Sequence, residues 1–258
     1  MDTLNSERKG GQVIRTVDTA AALVIGNELL SGKVADQNLH PLAVTLRGLG
    51  ITLKRVVVTA DDRELLAAEL KLLKASHDVV FTSGGVGPTH DDVTLEAVAD
   101  AFGVAASVHP VLADMLRVHY QEALTEAHLR MALVPEGAEL LTAQGIGWPT
   151  VVKGNVWVLP GVPKLFRMKL TVLREHLKGP QPFFSRAVYC QLDEGHLKTW
   201  LDAIVSEFPD VEIGSYPRLF DADYKTQVTF DARNAAQAER AQSAFCALLP
   251  RGEPVRKD

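Results

Sequence analysis

Short apolar segments alternate with amphipathic segments over the first two thirds of the chain. Residues 21–25 and 78–83 are continuous runs rich in apolar and β-branched residues, a pattern typical of strands that are buried on both faces. In residues 39–49 the leucines recur instead at helical spacing. The alternation continues through residue 176 and predicts β-α-β crossovers, which build a mainly parallel sheet covered by helices on both faces.

The pattern changes after the Gly-Pro-Gln-Pro segment at residues 179–182, which we interpret as a linker. Two extended stretches then follow one another with no helix between them, as in a small α+β domain with two adjacent antiparallel strands. The predicted elements of this part are a strand at 184–192, a helix at 196–208, extended segments at 211–216 and 225–231, and a helix at 235–249.

The first 18 residues are polar, include the pair Gly10-Gly11, and show no periodicity. We interpret them as a flexible extension, because such segments at a terminus offer few groups to a core. The predicted organisation is therefore an extension at 1–18, an α/β domain at 19–178 and a small α+β domain at 183–258.

The strongest candidate site is the turn after the predicted strand 78–83, with the sequence Ser-Gly-Gly-Val-Gly-Pro-Thr-His-Asp-Asp at residues 83–92. We call it the glycine-rich turn. Its glycines allow backbone N–H groups to approach a phosphate, and ligands of open α/β sheets bind at the carboxyl ends of the strands. Asp91 and Asp92 would repel a bare anion, so the pair favours a divalent cation at this turn. The simpler interpretation is a tight turn in which Asp92 or Thr94 only caps the next helix.

Two further turns follow predicted strands at the same sheet edge. The first contains Glu28, Asp36 and Asn38, and the second contains Gly161. Glu28 and Asp36 could face the glycine-rich turn. The alternatives are a solvated loop carboxylate at Glu28 and a helix cap at Asp36.

Common catalytic motifs do not fit these residues. A Walker A motif needs Gly-Lys-Ser/Thr, whereas Gly87 is followed by Pro88 and Thr89, and His90 stands where the dinucleotide fingerprint needs its third glycine. The sequence also contains no Gly-x-Ser-x-Gly nucleophile elbow. Simple kinase and dehydrogenase interpretations are therefore excluded.

Charge and composition limit the classes of molecule that this chain is expected to bind. The chain has 27 Lys and Arg against 32 Asp and Glu, a net charge of −5, and no long basic run, which argues against nucleic-acid or membrane binding. No run approaches the roughly 18 apolar residues of a membrane span. Asp2 and Glu7 do not suit the start of a signal peptide, and the apolar run at 20–25 is too short for one. Cys190 and Cys246 are far apart, which argues against a disulfide framework or a cysteine zinc site. We expect a cytoplasmic protein with a small phosphorylated ligand.

The ordered motifs together resemble the molybdopterin-binding (MoaB/Mog-like) family. The resemblance is strongest to the amino-terminal half of competence/damage-inducible protein A and to the molybdopterin-binding-like domain of FAD synthases. It rests on Gly-Asn-Glu-Leu-Leu at 26–30, Asp-Gln-Asn at 36–38, Gly-Gly-Val-Gly-Pro-Thr-His-Asp-Asp-Val-Thr at 84–94, Val-Pro-Glu-Gly at 134–137, Leu-Pro-Gly-Val-Pro at 159–163 and Gly-Ser-Tyr-Pro at 214–217.

The resemblance implies a three-layer α/β/α sandwich followed by the small α+β domain, and a cleft for a pterin phosphate, molybdopterin included, or an adenine dinucleotide. It also implies cleavage of a nucleotide pyrophosphate, of the ADP-ribose or FAD type, with Mg²⁺, Mn²⁺ or Co²⁺. The alternatives are a non-catalytic binding protein and a molybdopterin adenylyltransferase. By analogy with this fold we expect a homo-oligomer. Asn27 departs from the Thr or Asp common in the family.

Site residues follow from the same resemblance. The catalytic candidates are Asp91, Asp92 and Glu28, and the metal candidates are Asp36 and Asp92. The ligand-binding candidates are Gly84, Gly85, Gly87, Thr89, Thr94, Asn38 and Gly161.

Overall fold

The computed structural model describes residues 6–9, 12–218 and 223–258. The chain divides into two compact units, Met1–Pro180 and Gln181–Asp258. Within the described ranges, no helix combines the length and the apolar character that crossing a bilayer requires.

The first unit alternates strands and helices along most of its length. Its strands are β1 (Ser6–Lys9), β2 (Gln12–Thr16), β3 (Thr19–Ile25), β4 (Thr52–Thr59), β5 (Val79–Ser83), β6 (Ala106–Val108), β7 (Leu133–Pro135), β8 (Glu139–Leu141), β9 (Thr150–Lys153), β10 (Val156–Leu159) and β11 (Leu177–Lys178). Its helices are α1 (Asn27–Leu30), α2 (Leu39–Gly48), α3 (Arg63–Ser76), α4 (Thr94–Phe102), α5 (Pro110–Tyr120), α6 (Glu126–Arg130) and α7 (Pro163–His176), with a 3₁₀ turn at Gln121–Ala123.

The central sheet has the strand order β4-β3-β5-β10-β9-β8. Neighbouring strands from β4 to β10 are parallel, whereas β9 is antiparallel to both β10 and β8. Because β4 and β5 lie on opposite sides of β3, the order of the strands reverses at β3. A crevice opens at the carboxyl ends of the strands at such a switch point.

Alternate residues of β3 pack into different cores, because successive side chains of a strand point to opposite faces. Ala21 and Leu23 belong to a core with the apolar side chains of α3, α4 and α5. Ala20 and Ala22 belong to a second core with those of α2 and α7. The sheet is thus covered on both faces, and the predicted three-layer α/β/α sandwich with a mainly parallel sheet is confirmed.

The amino-terminal segment differs from its prediction. Ser6–Lys9 and Gln12–Thr16 form an antiparallel pair, and the second of these strands also pairs with β11 in parallel. The prediction of an extension without regular structure is therefore wrong for these residues. The pairing of β2 with β11 joins segments about 160 positions apart, so no local pattern revealed it, whereas β1 and β2 form a local hairpin. Residues 1–5, 10 and 11 lie outside the described residues.

The second unit is a small α+β domain, as predicted. Its elements are β12 (Phe184–Cys190), α8 (Glu194–Glu207), β13 (Glu212–Pro217), β14 (Thr226–Ala232), α9 (Ala235–Leu248) and β15 (Arg256–Lys257). The sheet order is β13-β14-β12-β15 with antiparallel neighbours, the split β-α-β arrangement of ferredoxin-like domains. Val228 and Phe230 of β14 pack against Leu197 and Phe245 of the two helices.

Candidate functional site

A cavity of about 1010 Å³ lies at the carboxyl ends of the central strands. Its lining includes Ile25 at the end of β3, the glycine-rich turn after β5, and the segment after β10. Of the residues predicted from the sequence, those that line it are Glu28, Gly84, Gly85, Gly87, Thr89, Asp91, Asp92 and Gly161. The crevice expected from the strand order is therefore the cavity that these turns share.

The glycines of the turn are required by its backbone. Gly84 has φ +112°, and a Cβ there would lie 2.4 Å from the carbonyl oxygen of Ile25. Gly85 has φ +65°, and a Cβ there would lie 2.3 Å from Thr94 Oγ1. The Thr94 hydroxyl donates to the carbonyl of Gly84 at 2.9 Å, and the Thr94 amide donates to that of Gly85 at 3.0 Å. Thr94 is fully buried, so these two hydrogen bonds stabilise the turn from the interior of the protein.

Asp92 closes the outer part of the turn. Its Oδ2 accepts hydrogen bonds from the Thr89 amide at 2.8 Å and from the Thr89 hydroxyl at 2.5 Å. A Cβ on Gly87 would lie 2.6 Å from the same oxygen. Asp92 therefore shapes the turn with one carboxylate oxygen while it lines the cavity.

Asn38 joins two turns of the site. Its Nδ2 donates to Ser83 Oγ at 3.0 Å and to the Gly161 carbonyl at 2.7 Å. The side chain is buried, and its Oδ1 has no hydrogen-bond partner within the described part of the chain. Asn38 thus lies behind the cavity surface. Gly161 packs closely against the glycine-rich turn, since a Cβ on Gly161 would lie 3.2 Å from Gly84 Cα.

Asp36 lies apart from the cavity lining. Its Oδ1 accepts from the amides of Leu39 at 2.8 Å and Asn38 at 3.2 Å, so the carboxylate caps the start of α2. The structure therefore gives Asp36 the contacts of the helix cap, which was the alternative left open by the sequence.

Acidic side chains form one wall of the cavity, which we call the acidic wall: Glu28, Asp61, Asp91 and Asp92. Asp61 was not predicted from the sequence as a site residue, although it follows β4 at the same sheet edge as the other turns. Its Oδ2 accepts from the Asn27 amide at 2.7 Å. Burial raises the pKa of Asp61, and the charges of the other three carboxylates raise it further.

The acidic wall supplies hard oxygen donors. Among the described residues, no three His, Cys, Asp or Glu side chains are arranged so that they could together hold a metal ion. Mg²⁺ typically keeps several waters and uses one or two protein carboxylates together with substrate phosphates. The donor set therefore fits a cation shared with a ligand rather than a cage built by the protein alone.

The cavity lining also includes apolar and aromatic side chains, which we call the apolar wall: Met115, Tyr120, Met131, Trp148 and Leu165. Tyr120 stacks on His128 with 3.9 Å between ring centroids. The residues of the apolar wall come from segments far apart in the sequence, so only the fold reveals that they line one cavity.

Two family models cover nearly the whole chain. One described as "Probable molybdopterin binding domain" matches residues 21–178, and one described as "FAD synthase, middle domain" matches residues 182–258. The chain belongs to the molybdopterin-binding domain family. The resemblance inferred from the motifs is thus confirmed.

Relatives of this chain differ in length. A "Probable FAD synthase" of Caenorhabditis elegans is 32% identical, over 90% of this chain and 50% of the relative. A protein of Archaeoglobus fulgidus is 30% identical, over 87% of this chain and 95% of the relative. The chain thus spans about half the length of the FAD synthase relative, but nearly all of the archaeal one.

A solved structure supports the fold of the first unit. The CinA protein from Thermoplasma acidophilum, described as of unknown function, is 28% identical with a TM-score of 0.56. The match covers 61% of this chain and 96% of that structure. The molybdopterin-binding domain alone therefore accounts for the likeness.

Gly85→Ala tests the geometry of the turn. We expect the free energy of unfolding to fall by about 1–3 kcal/mol more than in Gly103→Ala, because a Cβ on Gly85 meets Thr94 in addition to the left-handed strain. Gly103 has nearly the same φ, +66°, but open space around it. Urea unfolding of both variants measures the difference, and equal losses would contradict the proposed contact.

Asp61→Asn tests the electrostatics of the acidic wall. Because folding raises the pKa of Asp61, the folded protein keeps this proton to higher pH than the unfolded chain, and the associated stability is lost as pH rises through the folded-state pKa. We expect the variant to be about 0.2–1 kcal/mol more stable than the wild type at pH 7, with the gain shrinking towards pH 4. Urea unfolding at both pH values measures this; a less stable variant at pH 7 would contradict it.

Proposed function

We propose that the cavity binds a phosphorylated nucleotide or pterin, with a phosphate on the backbone amides of the glycine-rich turn. The observation that carries the proposal is the placement of Gly85 and Gly87 in the cavity lining, where no side chain separates the backbone from a ligand. Gly84 also lines the cavity, but its amide already donates to the Leu159 carbonyl. Backbone N–H groups at such turns hold anions without a basic residue. This accords with the net negative charge of the chain.

The apolar wall supports a ligand that also has a flat ring. Met115, Tyr120, Met131 and Trp148 offer the aromatic and thioether surfaces on which a purine, flavin or pterin packs. A cavity of about 1010 Å³ lies at the upper end of the range for small-molecule sites, which suits a ligand as large as a dinucleotide. Molybdopterin remains a candidate by the same reasoning.

Ligand binding is expected to change the fluorescence of Trp148, because this half-buried ring lines the cavity. Titration with AMP, ADP-ribose and a pterin phosphate should give a saturable change in the wild type and none in Trp148→Phe, although Trp157 and Trp200 still fluoresce. Calorimetry on both proteins separates loss of signal from loss of binding. Failure of every probe to bind the wild type would overturn the proposal.

A second candidate function is hydrolysis of a nucleotide pyrophosphate, and the acidic wall beside the turn favours it. Glu28 and Asp91 would hold a divalent cation, which supplies charge neutralisation at the phosphates. In this reaction water forms a bond to one phosphorus, and the bond from that phosphorus to the bridging oxygen breaks. The other phosphate leaves with the bridging oxygen. Asp61 would take the proton of the water, a role supported by its place in the cavity lining beside Glu28 and Asp91.

Hydrolysis is tested by incubating the protein with ADP-ribose, FAD or NADH and Mg²⁺, Mn²⁺ or Co²⁺, and measuring AMP. We expect AMP release to fall by about 10²–10⁴-fold in Asp61→Asn, because a general base contributes on that order. Asp36→Asn is the comparison variant, since Asp36 caps α2 outside the cavity lining, and it should retain activity.

The outcomes separate the candidates. Saturable ligand binding without release of AMP would indicate a non-catalytic binding protein. ATP-dependent modification of molybdopterin would instead indicate an adenylyltransferase. Loss of AMP release in Asp36→Asn at unchanged stability would restore Asp36 as the metal ligand expected from the sequence.

A further inference from the structure

Lys169 is a buried lysine in the wall of the cavity. It lies on α7, its side chain is 6% exposed, and it lines the cavity beside Trp148, Leu165 and Met168. Its ammonium donates a hydrogen bond to the carbonyl oxygen of Trp148. Lysine is rarely buried without a partner of opposite charge, so the position needs an explanation.

The charge of Lys169 is poorly compensated by the protein. An ammonium has three N–H donors, and within the described ranges the Trp148 carbonyl is the hydrogen-bond partner found for them. Burial lowers the pKa of Lys169 to about 8, with no described carboxylate offsetting it. A buried cation of this kind is stabilised when an anion from outside the chain pairs with it.

The position of Lys169 relative to the glycine-rich turn follows from α7. Gly161 lies against Gly84, so α7 begins at this turn with Pro163. Lys169 is six positions along the helix from Pro163, a rise of about 9 Å along the axis. Its main chain is therefore well separated from the turn, and its ammonium is directed to the Trp148 carbonyl.

We propose that Lys169 forms a second anion-binding subsite, which takes an anionic group of the ligand separate from the phosphate on the glycine-rich turn. The inference rests on the proposed function and narrows its ligand to nucleotides or pterins with two separated anionic groups. The second group would receive charge-assisted hydrogen bonds from the ammonium in surroundings of low polarity. The Trp148 carbonyl holds the ammonium in place for this contact.

The test compares adenosine 5′-monophosphate with adenosine 3′,5′-bisphosphate by calorimetry. We expect the wild type to bind the bisphosphate at least about tenfold more tightly, as a hydrogen bond to a charged group is worth roughly that factor. Lys169→Met, which keeps the length of the side chain, should abolish this preference and leave monophosphate binding unchanged. Lys169→Arg should keep part of it, and Lys164→Met, at an exposed lysine of the same helix, should keep all of it.

Thermal unfolding of the ligand-free variants separates binding from a structural role. Lys169→Met should melt at the same temperature as the wild type or higher, because it removes an uncompensated buried charge. A lower melting temperature together with equal loss of both ligands would show that Lys169 only holds the Trp148 segment, and would overturn the inference. Equal affinity of the wild type for the two probes would also overturn it while leaving the proposed function intact. Binding of neither probe would count against both.

Discussion

The site depends on the close approach of the backbone at Gly84 to the end of β3. Gly84 passes so near the Ile25 carbonyl that a methyl group would not fit, and Gly161 packs against Gly84 from the other side. The turns after three strands are thereby brought into contact at one point. Asn38 strengthens the arrangement with its bonds to Ser83 and Gly161. Because the contacts are between backbones, and the Gly84 amide also donates to the Leu159 carbonyl at 3.2 Å, the turn has little freedom to move.

Electrostatic strain is concentrated at the same place. Burial and repulsion by the other carboxylates of the acidic wall raise the pKa of Asp61, and a cation would relieve that repulsion. Lys169, in the lining of the same cavity, lacks a compensating carboxylate among the described residues. Charged groups that destabilise the free protein are commonly retained where they bind ligands, since function and stability are then opposed. The cavity thus has a negative end and a positive group in an otherwise apolar wall.

Several features of this protein could be predicted from short stretches of its sequence. The helical spacing of leucines at 39–49 corresponds to the helix Leu39–Gly48, since its apolar positions and the glycine at 50 act within a few residues. The glycine-rich turn was likewise identifiable, because the backbone conformation that it needs is encoded by glycines at adjacent positions. The parallel sheet followed from the alternation of strands and helices, and the family from the order of its motifs.

Other features depend on residues that only the tertiary structure brings together. Asp61 joins the acidic wall because β4 ends beside β3, and Lys169 reaches the cavity because α7 packs beside the Trp148 segment. β2 pairs with β11, which lies about 160 positions further along the chain. The sequence by itself determined the elements, the fold class and the phosphate-type turn, since these follow from short-range propensity and periodicity. Long-range packing decided which charges share the cavity, because proximity across strands and helices leaves no periodic trace along the chain.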